Sequence, residues 1–175
     1  MELRAYGASV CVAAGMLWAM SGPAREYPVL GEASQSVREL EASVAERPSD
    51  PLQTRTLAQE YLDARQPGLA IVLVEGAPAA VRADVPVEHV YARALIDEGR
   101  NDEALRVETR VLETCLDAAN GSASGCDSVL LASAMRRTDI LRELLALGIE
   151  DSRAQPEASL VAYQNATREA RVALE

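Results

Sequence analysis

A 34-residue echo runs through the first two-thirds of the chain and restricts its architecture more than any other feature. Ser36, Ala70 and Ala104 put a small residue at one phase, and Ala58 with Ala92, and Tyr61 with Leu95, return at the same offset. Periods this short arise from stacked supersecondary units, each burying its apolar face only on its neighbours. Composition says what the units are made of. The 175 residues are 49% hydrophobic but 3% aromatic, with no Phe, so Ala, Leu and Val must fill the core. That core suits close-packed short helices better than a β-sandwich, and the length allows one domain. The expected fold is all-α.

Charge narrows the partners. A net charge of −10 opposes nucleic-acid binding, because phosphate recognition needs a basic surface. All 17 basic residues are Arg, a bias that fits a GC-rich bacterial genome, and no run of five like charges marks an acidic tail.

The N-terminus reads as a targeting segment. Ala5 to Met20 carries no charge. As a helix its residues would rise about 24 Å, short of the roughly 30 Å hydrocarbon core. That length fits the apolar part of a secretory signal, cleaved after Ser21 or Ala24. The competing reading is an uncleaved anchor through residues 5–20, with Trp18 at the interface and Arg25 beyond it. The expected domains are a signal or anchor over 1–24, an extended lead-in over 25–32, and a helical repeat domain over 33–175. Both readings place the folded part outside the cytoplasm: periplasmic, or held on the inner membrane facing the periplasm. Removal of a signal would take Cys11 and leave Cys115 and Cys126, a disulfide candidate in an oxidising compartment, with two buried thiols as the alternative. Closing so short a loop contributes about 2–3 kcal/mol.

Apolar spacing places the helices. Val37, Leu40 and Val44 share a face between Ala33 and Arg47, and Ser49-Asp50-Pro51 caps a second helix with Leu57, Tyr61 and Leu62 inward. Gln66-Pro67-Gly68 turns into a third, over Leu69 to Gly76, with Ala70, Leu73 and Val74 together. Val87, Val90, Tyr91, Ala94 and Leu95 mark a fourth, ended by Gly99. Asn101 is expected to cap a fifth, whose stripe is Ala104, Leu105, Val111, Leu112, Cys115 and Leu116. Two short helices are expected near Asp127–Met135 and Asp139–Leu147. A last helix from Glu157 to about Leu174, with Leu160, Val161 and Ala170 inward, is expected to cap the stack.

With Leu57-Ala58 and Tyr61, Tyr91-Ala92 and Leu95, the turn at Gly99, the small residues Ala70 and Ala104, and Pro48 as a closing proline, the span Ser34–Leu116 resembles the tetratricopeptide repeat family. The resemblance covers a half-repeat and two full ones. It departs from the family pattern in lacking the usual Trp, in placing Glu108 where a bulky apolar residue is usual, and in lacking a closing Pro in either full repeat. It implies TPR-like stacked hairpins, a short α-solenoid, whose first helices line a groove for an extended peptide. The groove-facing positions would be Arg55 and Gln59 in one repeat, His89 and Arg93 in the next. Two guanidinium groups with an amide and an imidazole can grip a carboxylate. Solvated polar residues on outer helix rows are the plainer reading of the same four.

The expected function is a non-catalytic, exported scaffold or adaptor binding a protein or peptide in the cell envelope. The alternatives are an anchored accessory subunit of a secretion, pilus, respiratory or photosynthetic complex, and a carboxylate-based hydrolase. A single His excludes multi-histidine metal sites, and no cofactor fingerprint or G-x-S-x-G is present. Neither metal nor cofactor is expected.

Overall fold

A computed structural model of the protein describes residues 35–119 and 125–172. The signal or anchor over 1–24, the lead-in over 25–32 and Cys11 lie outside the described residues. Every regular element among the described residues is a helix. In chain order they are α1 (Gln35–Glu46), α2 (Pro51–Asp63), α3 (Pro67–Gly76), the one-turn α4 (Ala79–Arg82), α5 (Val85–Asp97), α6 (Asn101–Ala119), α7 (Ser128–Ala146) and α8 (Pro156–Val172).

Local chemistry sets their starts. The Asp50 carboxylate accepts from the N–H groups of Leu52 and Gln53 at 3.0 and 3.4 Å, and Pro51 supplies a helix-ready φ at the first position. Asp84, 34 positions on, accepts from Val87 N–H at 3.3 Å, and Asp127 caps α7 through Leu130 N–H at 2.7 Å. Helices α2 and α5 start and end 34 positions apart, and so do the starts of α3 and α6.

The ends repeat too. Arg65 N–H bonds Leu62 O and Gln66 N–H bonds Tyr61 O; Gly99 and Arg100 bond Ile96 and Leu95 in the same way, and Gly148 and Ile149 bond Leu145 and Leu144. Each pair is a Schellman closure around a left-handed residue: Arg65 at φ 56°, Gly99 at 77°, Gly148 at 73°. The third turn stands 49 positions after the second, so the 34-residue phase stops there.

The hairpins stack in sequence order. Helix α1 packs on α2, α2 on α3 and α5, α3 on α5, α5 on α6, α6 on α7, and α7 on α8. One cluster of buried side chains runs from Val37 in α1 to Ala162 in α8. Ala58, Ala70, Ala92 and Ala104 have no exposed surface. These small residues of the repeat phase let neighbouring helix backbones approach closely. A smaller cluster, Val85, Val111, Cys115 and Ala134, sits beside the joined Cys115 and Cys126, whose Cα atoms are 5.3 Å apart.

Three expectations are corrected. The region 127–147 is one helix, α7, because Ala134, Thr138, Leu141 and Leu144 form an unbroken buried stripe and no Gly or Pro interrupts Arg136-Arg137-Thr138. The last helix packs on α7 at the end of the stack, but its inward residues are not those expected. It presents Ala162 and Ala166 inward, while Leu160 and Val161 are exposed, since alanines allow α8 a closer seat; the side chain of Ala170 lies outside the described residues. Asn101 does not cap α6 through its side chain. It is wholly buried, its Nδ2 donates to Ile149 O at 3.1 Å, and its N–H meets Glu150 O at 3.3 Å.

Candidate functional site

Arg55 and Gln59, one turn apart on α2, line a recess of about 230 Å³ with Thr56, Glu60 and Val90 of α5. Gln59 Nε2 donates to Asp63 Oδ1 at 2.8 Å, and Arg93 Nη2 of α5 stands 3.7 Å from the same oxygen. Asp63 therefore ties the two first helices together at the surface. Arg93 also borders a larger recess of about 760 Å³, between the turns at Leu62–Pro67, Ile96–Glu98 and Ser152–Arg153. Its wall mixes Arg65, Arg93 and Arg153 with Asp63, Asp97 and Glu98, so it presents no single charge. Arg55, Gln59 and Arg93 share the first-helix surface. His89 is engaged elsewhere.

The His89 side chain keeps 13% of its surface and lies in a polar cluster between α5, α6 and α7. Nδ1 is 2.7 Å from Glu108 Oε1, and Nε2 is 3.1 Å from Ser133 Oγ. Arg137 Nη1 donates to the His89 carbonyl at 2.7 Å and to Glu108 Oε2 at 3.3 Å. Glu108 has no exposed surface. Arg137 Nη1 also stands 3.3 Å from Nδ1. In the tautomer that carries its proton on Nδ1, the ring donates to the Glu108 carboxylate and Nε2 accepts from Ser133. Burial lowers the Arg137 guanidinium from its ordinary pKa, against the opposing pull of Glu108. Arg137 and Glu108 thus form an ion pair across α6 and α7, with Nη1 3.3 Å from Oε2.

Sequence reading misses this cluster because its parts come from three helices, 19 and 29 positions away from Glu108. One signal was present. Glu108 falls in the stripe Ala104, Glu108, Val111, Cys115, where a carboxylate has to find a partner or stay out of the core.

Two tyrosine–glutamate pairs obey a related rule. Tyr61 Oη of α2 donates to Glu41 of α1 at 2.6 Å, and Tyr91 Oη of α5 donates to Glu75 of α3 at 2.8 Å. Burial, reinforced by the adjacent carboxylate, pushes each phenol from 10.0 up to about 12. Among the described residues no group of three His, Cys, Asp or Glu side chains is placed to hold a metal ion. No described helix is long and apolar enough to cross a membrane.

Comparison of the chain with protein-family models, curated proteins and solved structures gives no match.

Proposed function

We propose that the chain is an exported, TPR-like repeat scaffold that holds a protein or peptide partner on its first-helix surface. The observation that carries this reading is the shared phase of α2–α3 and α5–α6: helices of equal start, with matching caps and turns, set α2 and α5 side by side. Arg55, Gln59 and Arg93 lie on that surface, with side chains long enough to reach a bound segment. In a stack whose hairpins bury their apolar faces on one another, such a polar surface is what remains for recognition.

Site-specific photocrosslinking in the native host, from Gln59 and from the exposed Glu46 at the end of α1, tests it. A discrete adduct from position 59 and none from 46 supports the reading. Arg93→Glu should then weaken that complex at least tenfold while changing stability by no more than about 0.5 kcal/mol, as for a surface site. Affinity unchanged by Arg93→Glu would discard the surface. The mass of the mature chain decides between a free scaffold, which lacks residues 1–21 or 1–24, and a membrane-held subunit, which retains them.

A further inference from the structure

We propose that Ser133 is a nucleophile for acyl transfer from carboxylic esters, with His89 as its general base and Glu108 positioning the imidazole. The proposal is independent of the partner-binding reading and departs from the expectation of a non-catalytic chain. It rests on connectivity. Oγ of Ser133 meets Nε2, and the opposite ring nitrogen meets a wholly buried carboxylate, at 3.1 and 2.7 Å. A nucleophile within hydrogen-bond reach of a base, itself oriented by a third group, is the arrangement that activates a hydroxyl. Such sets are recognised by geometry, since the surrounding fold and chain order vary.

Burial of Glu108 gives the arrangement its direction. The tautomer that donates Nδ1–H to this carboxylate leaves on Nε2 the lone pair that faces Ser133. An imidazolium formed during reaction would sit 2.7 Å from that carboxylate. Ser133 is half-buried and His89 keeps part of its surface, so neither side chain is sealed in the core.

The oxyanion needs a donor. Backbone N–H groups around Ser133 are spent within α7, which runs unbroken over Ser128–Ala146. Arg137 stands one turn further along the same face of α7. Its bonds to His89 and Glu108 all run through Nη1, and among the described residues Nε and Nη2 make none. Within the proposal those nitrogens are the donors for the developing charge, as preorganised donors stabilise charge that forms in a transition state.

The step balances without a cofactor. An Oγ lone pair bonds to the ester carbon, the carbonyl π pair moves to oxygen, and the Oγ proton passes to Nε2. Collapse re-forms the carbonyl and breaks the bond to the alkoxy oxygen, which takes the proton from Nε2. Water repeats the sequence on the acyl-Ser133, releasing the acid and restoring Oγ–H.

A fluorophosphonate probe reads the first half of this chemistry directly, as the Oγ–phosphorus bond forms and fluoride leaves. The folded wild-type chain should give one adduct, mapped by peptide mass to Ser133. The same chain unfolded in urea should label at least about 100-fold more slowly, the usual scale of general-base assistance. His89→Gln and Glu108→Gln should each lower the rate by a similar factor while keeping the helical circular dichroism. Glu108→Gln, which still accepts from the ring but cannot balance an imidazolium, should in addition move the pH profile of labelling. No adduct on Ser133 in the folded chain overturns the proposal. So does equal labelling of folded and unfolded wild type, a comparison that requires no variant to fold.

Discussion

Three residues close three turns with a left-handed backbone, and they are not equivalent. Arg65 carries a full side chain there, so the conformation itself admits one. At Gly148 an added Cβ would meet open space. At Gly99 it would lie 2.2 Å from Asp151 Oδ1, because the turn after α7 folds back against the turn after α5. Asp151 is held there by the N–H and guanidinium of Arg153, which also reaches Glu98. Gly148→Ala should therefore cost only the left-handed penalty of about 1–2 kcal/mol, and Gly99→Ala more, since Asp151 must also move. Urea midpoints of the two variants check the order; Gly148→Ala as the more damaging change would contradict it.

Helices that pack on one another are joined by acids on the earlier partner. Glu41 of α1 holds Tyr61 of α2, Glu75 of α3 holds Tyr91 of α5, and Glu108 of α6 holds Arg137 of α7. The first two joints respond to alkali. Each phenol titrates near 10.0 when unfolded and about 12 when folded, so the folded chain keeps the proton longer. Their contribution is fully present below pH 10 and is lost as the pH rises toward 12. Phenolate absorbance at 295 nm should thus rise late in the folded protein, and urea midpoints should fall between pH 10 and 12. Tyr61→Phe should flatten part of that fall; an unchanged slope in the double Tyr61→Phe, Tyr91→Phe variant would refute the assignment. At this scale the sequence was legible wherever burial followed apolar spacing, as in α2 and α5. It was illegible where polar groups entered the stripe. Apolar counting breaks at Arg137-Thr138, yet Thr138 is wholly buried and Arg137 pairs with Glu108, so α7 runs straight through. In α8 the counting favoured large residues, while Ala162 and Ala166 do the packing because the helices meet closely. His89 stood in the groove reading as a surface group, since nothing local to α5 announces a carboxylate arriving from α6.

Across the whole molecule, each hairpin leans on the next, and the continuous core from Val37 to Ala162 carries that dependence from end to end. The link between the second and third hairpins differs from the earlier ones. The joined Cys115 and Cys126 tie the last part of α6 to the residues just before α7. A peptide bond cut anywhere between these two cysteines therefore divides the sequence without dividing the molecule. Limited proteolysis at that connection should leave one band on a denaturing gel, which separates into two fragments only when thiol is added. Two bands without thiol would show the cysteines unpaired. A chain cut in this way keeps both parts at fixed stoichiometry, as a two-chain protein joined by one sulfur bridge.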